Sequence, residues 1–276
     1  MTDSTLPILR EAAQVPGLLK DIYGDLAKPG VSQVGQALDT ILGLGNTLLW
    51  PIQLLNEKAK IGLQRNLDKY RLQLKEIPAD QIVAVLPEVG VPISEKLAYV
   101  TDNELSDLYI NLLAKASTTH TAHFAHPSFV NIINNLSPDE AVLLKELRTT
   151  NNIPFITAQL VRKDPTGGWI TLADILTGLE RKTQITFQEN TVAYFSNFEG
   201  LGIIEIRRDI FIVNPSLYEE LERIYRPLCE ANAFDREQHD LKFEQGKIEV
   251  TPFGRLFIDA CLKKLTYNTE PAATTP

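Results

Sequence analysis

Reactive and repetitive features are scarce in this sequence, and each scarcity removes a class of function. There are only two cysteines, Cys229 and Cys261, each set in its own apolar pattern. That excludes a disulfide framework and predicts buried thiols in a reducing cytosol. The first thirty residues carry acids throughout and no basic stretch ahead of an apolar core, so no secretory signal and a cytoplasmic location are expected. The longest stretch without a charge, "TILGLGNTLLWPIQLLN", covers 17 residues from Thr40 to Asn56. A spanning helix needs roughly 17 to 25 apolar residues, and this run is broken by Asn46, Thr47, Pro51 and Gln53, so it makes a poor transmembrane helix. No glycine-rich phosphate loop, metal-ligand motif or nucleophile elbow is found. The sequence therefore assigns no catalytic residue, metal or cofactor, and predicts a protein that is not an enzyme.

What remains is an ordinary globular composition with an uneven charge. The chain has 276 residues, 44% hydrophobic and 22% charged, long enough for two domains with real cores. Its net charge is −8, yet residues 1–76 hold nine Lys/Arg against eight Asp/Glu, which leaves 18 against 27 for the remainder. The acidic excess over the C-terminal two thirds speaks against a nucleic-acid footprint there.

Directly after the uncharged run comes "EKAKIGLQRNLDKYRLQLKE", in which Lys58, Lys60, Arg65, Lys69, Arg71 and Lys75 outnumber Glu57, Asp68 and Glu76. A net basic flank beside an apolar segment suits an anionic membrane surface. Leu63, Leu67, Tyr70 and Leu74 recur at helical spacing, so the flank is an amphipathic helix. Residues 31–76 thus form an apolar and basic helical hairpin, either packed on the rest of the protein or on a second copy, or active at a membrane. The contact residues it offers are Leu44, Leu48, Leu49, Trp50, Leu54, Lys58 and Lys60.

Residues 77–93 contain three prolines and are expected to be an extended or broken connection. A capping box of Thr101 and Glu104 then starts a helix over about 102–117, with Leu105, Leu108, Tyr109, Leu112, Leu113 and Ala116 on one face. The stretch "HTAHFAHPSFVNII" places His120, His123 and His126 three residues apart just before Pro127, which suits a first helical turn leading into Phe129, Val130, Ile132, Ile133 and Leu136. Three such histidines could meet on zinc only if the loop coiled inward and a further ligand stood by, and the local sequence supplies none. Asp139 and Glu140 are committed to the next helix N-terminus, where Ser137 is the cap, Pro138 the first position and Glu140 the reciprocal partner. The structural reading makes His126 a device that fixes the helix entry.

The stretches "LSDLYINLLAKAS" and "HPSFVNIINNLSPDEAVLLKEL" resemble the Abi-alpha family, a bacterial domain of unestablished function named for a link to abortive infection. The residues that carry the resemblance are Leu112, Leu113, His126, Pro127, Phe129, Ile132, Leu136, Ser137, Pro138, Asp139, Glu140 and Ala141, and it extends over about 20–265. The resemblance implies antiphage defence, as a toxic or growth-arresting effector. It brings no catalytic residues with it.

In the C-terminal part, Thr171 and Asp174 read as the start of a helix over "LADILTGLE", and Val192, Phe195 and Phe198 mark a second helix ending at Gly200. "LGIIEIRRDIFIVNP" alternates around Arg207, Arg208 and Asp209 as a hairpin, and "LKFEQGKIEV" reads as another with its turn at Gln245 and Gly246. Thr251 and Pro252 open a last helix with Leu256, Phe257, Ala260, Cys261 and Leu265 facing inward. Helix, helix and hairpin is the winged-helix order. The expected fold is therefore mainly α, of the α+β class: a segment at 1–30, the hairpin at 31–76, a helical bundle at 77–150, a winged-helix-like domain with two β-hairpins at 151–266, and a disordered tail at 267–276.

A winged helix raises DNA binding as the alternative. The helix that would enter a groove, about 188–199, holds Glu189 and Glu199 and no Lys or Arg, leaving only Asn190 and Asn197 to read bases. Arg207 and Arg208 alone do not offset the surrounding acid. The expected function is an antiphage effector that works through a protein partner, self-association or a membrane surface, with nucleic acid disfavoured.

Overall fold

The computed structural model describes residues 33–38, 57–232 and 234–266. The N-terminal segment at 1–30, the apolar run at 40–56 and the tail at 267–276 lie outside the described residues. The chain divides into two compact units, one holding the residues up to Leu136 and from Asp259 onward, the other Ser137–Ile258.

The first unit is helical. Residues 33–38 form a helical piece, followed in the chain by α1 (Glu57–Leu74), α2 (Pro87–Tyr99), α3 (Asn103–Ala116) and α4 (Ser128–Asn134). Leu63, Leu67, Tyr70 and Leu74, spaced along one side of α1, are all buried. Helix α3 is buried nearly all round, at Ser106, at every residue from Leu108 to Ala114 and at Ala116, which makes it the centre of the bundle. Its buried Asn111 donates to the Cys261 carbonyl at 2.7 Å, and Tyr109 donates its hydroxyl hydrogen to Asn134 at 2.7 Å, so these two side chains find partners in the core.

Two local expectations fail in this unit. Residues 87–93 are not a broken connection but the first half of α2. Pro87 occupies the first turn, where its missing N–H costs nothing, and the buried face of Val89, Ile93 and Leu97 recurs every fourth residue. Packing of that face outweighs the internal Pro92. The cap of α3 is Asp102 rather than Thr101, since the Asp102 carboxylate accepts the Leu105 N–H at 2.9 Å.

The second unit pairs helices with a four-stranded antiparallel sheet of order β2-β1-β4-β3. Helices α5 (Pro138–Leu144), α6 (Leu179–Lys182), α7 (Thr191–Gly200), α8 (Pro215–Glu230) and α9 (Pro252–Cys261, its residues from Asp259 counted in the first unit) accompany β1 (Asn152–Arg162), β2 (Trp169–Leu176), β3 (Ile204–Arg207) and β4 (His239–Val250). α8 buries Tyr218, Leu221 and Tyr225 with Ile156 of β1, and Leu176 and Phe243 pack against that cluster. The fold is thus α+β, helical in the first unit and built on one antiparallel sheet in the second.

The sheet differs from the two expected hairpins. "LKFEQGKIEV" is not a hairpin but part of the single strand β4, paired with β1 without interruption from Asn152↔Glu249 to Arg162↔His239. Gly246 is no turn residue: a Cβ there would collide with the Phe155 ring and the Arg207 carbonyl, so a strand glycine lets the Phe155 ring lie on the backbone. Of "LGIIEIRRDIFIVNP" only Ile204–Arg207 is strand, and its partner is β4. The helix expected over "LADILTGLE" is the edge strand β2, with helix confined to Leu179–Lys182. Asp174 does not cap that segment; it accepts the Thr157 hydroxyl hydrogen of β1 at 2.7 Å.

Candidate functional site

The outer side of α1 is unlike its buried side. Lys58, Ile61, Arg65 and Leu72 are exposed and recur at steps of helical spacing, with half-buried Asp68 between them and exposed Lys75 just past the helix end. Ile61 is 67% exposed and Leu72 65% exposed, large apolar side chains set among cations. Near its start α1 crosses the end of α2 closely, because a Cβ on Gly62 would stand only 2.9 Å from the Ala98 carbonyl oxygen. The buried Asn66 side chain adds a bond of 2.7 Å to the Leu97 carbonyl. Beside that crossing lies a shallow groove of about 390 Å³ whose lining includes Lys58, Ile61, Arg65, Tyr99 and Val100. The Lys96 ammonium sits 5.7 Å from the centre of the Tyr99 ring, a cation–π contact at the same end of α2.

Of the contact residues expected from sequence, Leu44, Leu48, Leu49, Trp50 and Leu54 lie outside the described residues, as does the side chain of Lys60. Lys58 is exposed on the first turn of α1. Ile61, Leu72, Lys96 and Tyr99 were missed. The first two had a signal, since they stand out of phase with the Leu63, Leu67, Tyr70 and Leu74 stripe; the last two depend on a helix whose prolines hid it.

The histidine and Ser-Pro-Asp-Glu stretch forms two local arrangements. His120, His123 and His126 are all exposed. The His126 Nδ1 accepts the Ser128 N–H at 3.1 Å, and its ring lies 5.6 Å from the fully buried Phe129 ring. Pro127 takes the N-cap position of α4. Among the described residues no three His, Cys, Asp or Glu gather where a metal ion could be held.

In the second unit Ser137 caps α5 with a reciprocal box, its hydroxyl accepting the Glu140 N–H at 3.3 Å while Glu140 accepts the Ser137 N–H at 2.6 Å; Pro138 stands at the first position. Glu140 also accepts from the Asn197 amide at 2.7 Å. Asp139 accepts the N–H groups of Thr186 and Phe187 at 2.8 and 2.9 Å and the Tyr194 hydroxyl hydrogen at 3.0 Å. Burial pushes the Asp139 carboxyl up, but these donors outweigh it and hold the group below the ordinary carboxylate range. Both carboxylates are thereby used in tying α5 to the 186–197 segment.

A family model described as abortive infection alpha matches residues 62–261, most of the chain. The chain belongs to the abortive infection alpha family. No curated protein and no solved structure matches it. The abortive infection alpha match begins at Gly62, later than the 20–265 extent of the resemblance read from sequence. It therefore takes in α2, the histidine stretch and the capping box, while Lys58 and Ile61 precede it.

Arg207 and Arg208, the cations of the expected wing, are both engaged by carboxylates. Arg207 meets Asp209 at 3.2 Å and Glu205 at 3.5 Å. Arg208 reaches across to Asp174 at 2.8 Å and lies over the Phe155 ring at 5.8 Å. Asn197 spends its amide on Glu140.

Proposed function

We propose that this protein is an abortive-infection effector that acts by contact with a protein partner, a second copy or a membrane surface, and not by chemistry of its own. Family membership supplies the defence context. The observation that carries the contact reading is the outer stripe of α1, where Ile61 and Leu72 stand exposed among Lys58, Arg65 and Lys75. Large apolar side chains in water beside a basic helix face suit a binding surface better than a solvated one. In sequence α1 directly follows the uncharged run with Leu44, Leu48, Leu49, Trp50 and Leu54, the other contact residues read from the sequence. Among the described residues no helix is long and apolar enough to cross a membrane. The membrane contact proposed is a peripheral one, with the protein recruited from the cytoplasm on infection.

The winged-helix likeness of residues 151–266 is supported only by the succession of α6, α7 and β3. A protein contact suits this unit better than duplex reading, because Arg207, Arg208 and Asn197 are spent on carboxylates of the same chain.

The test is a phage-challenge plating assay of Leu48→Asp with Leu49→Asp, with cell fractionation before and after infection. The double variant loses protection while remaining folded, and the wild type gains a membrane-associated or partner-bound fraction. A folded double variant that protects like wild type rejects contact through this region.

A further inference from the structure

We infer that the groove where α1 crosses the end of α2 docks on an anionic bilayer surface, an assignment that rests on the contact reading above and names its partner. The lining of this groove of about 390 Å³ contains Lys58 and Arg65 and no Asp or Glu. Its apolar members are presented outward: Ile61 is 67% and Tyr99 49% exposed. Lys96, held over the Tyr99 ring, adds a third cation at the same end. Cations around exposed aliphatic and aromatic side chains match the depth profile of a bilayer boundary. Tyrosine sits at headgroup level, an isoleucine enters the acyl region, and lysine or arginine stems reach back to phosphate.

Charge complementarity fixes the kind of surface. Each Lys or Arg held near an anionic leaflet contributes roughly 1 kcal/mol, so Lys58, Arg65 and Lys96 together make binding depend on anionic lipid. The surface extends along α1, since Leu72 is 65% exposed on the same stripe and Lys75 follows it. In sequence the uncharged run with Trp50 immediately precedes α1. An acidic protein would satisfy the cations but would not by itself account for Ile61, Tyr99 and Leu72 all facing water. An interfacial helix needs both features together.

The experiment is flotation of the full-length protein with vesicles of phosphatidylcholine alone or mixed with phosphatidylglycerol, at low and raised salt. Wild type floats with the mixed vesicles, stays behind with phosphatidylcholine alone, and releases as salt rises. Arg65→Glu with Lys96→Glu weakens binding by about tenfold or more, and Ile61→Asp weakens it with Tm unchanged. Reversing two exposed cations of the second unit, Arg181→Glu with Lys182→Glu, leaves binding as it was and so separates the groove from net charge. Absence of flotation, equal binding to neutral vesicles, or full binding by the Arg65→Glu/Lys96→Glu variant overturns the lipid assignment. A variant that loses flotation yet protects cells from phage overturns the bilayer as the partner in defence while leaving the contact reading intact. That reading falls separately, by continued protection in the Leu48→Asp/Leu49→Asp variant.

Discussion

The corner at Ser137–Glu140 and the groove at the start of α1 treat polar and apolar groups in opposite ways. In the corner two carboxylates are taken out of water, Asp139 at 6% and Glu140 at 4% exposure, and both are supplied with donors from their own chain. At the groove the apolar side chains are left in water and the cations line the rim. A buried charge with full partners is a structural fastener, since nothing about it is left for a ligand to satisfy. An apolar surface left in water is the reverse, a favourable interaction not yet made. The motif most visible in the sequence therefore reports on folding, and the less visible surface is the one on which the proposed contact rests.

The largest expected effect breaks the fastener. Asp139→Ala leaves the Thr186 and Phe187 N–H groups and the Tyr194 hydroxyl without their acceptor, at a cost of roughly 3 kcal/mol. Denaturant unfolding of the purified protein measures it, and a loss below about 1 kcal/mol contradicts the fastener role. The acid limb gives a second reading of the same group. Because the Asp139 carboxyl titrates lower in the folded than in the unfolded chain, its stabilisation is complete above the ordinary value of 3.8 and is lost as pH falls through the lowered one. Wild type accordingly loses more stability on acidification below that value than Asp139→Asn, whose amide does not titrate. Parallel curves for the two proteins would show that Asp139 has no such role.

The corner was legible because its chemistry is local: a cap, a proline and a glutamate three residues on specify one another without reference to the rest of the chain. The sheet was not, and particular residues show why. β1 carries Pro154 and is buried at five of its central six positions from Phe155 to Leu160, so it lacks the alternation by which a strand is recognised and holds a residue that argues against one. Gly246 resembles a turn residue, yet it is there to admit the Phe155 ring from another strand, a reason invisible from β4 alone. Thr171 and Asp174 have the residue types of a helix start, but register shifts in the β1–β2 pairing and the positive φ of 50° at Ile175 let Asp174 bond across to Thr157. α8 carries a legible face, since Tyr218, Leu221, Tyr225 and Cys229 are all buried and fall on one helical side; its Pro227 falls in the last turn and does not end it. For the groove, half the signal was present, in Ile61 and Leu72 out of phase with the buried stripe. The other half waited on α2, because a proline run reads as a break unless the packing of Val89, Ile93 and Leu97 is known.

The smallest expected effect concerns the three histidines, and it sharpens the same contrast inside one short stretch. His126 makes local bonds of the fastener kind: its ring nitrogen accepts the Ser128 N–H at 3.1 Å, one of the first donors of α4, and its ring rests near Phe129. The site is exposed, so water replaces part of what is lost, and His126→Ala costs about 0.5 to 1 kcal/mol. His120 and His123 are exposed on the preceding loop, and His123 packs against its neighbour Phe124 at a centroid separation of 4.0 Å. Replacing both by Ala changes stability by less than about 0.5 kcal/mol, and phage protection is unaffected. If instead the pair binds a metal, the purified protein contains it in stoichiometric amount and the double variant does not, which elemental analysis of the two proteins decides. A stoichiometric metal lost in the double variant would move the histidine stretch from the fastener side of the comparison to the contact side.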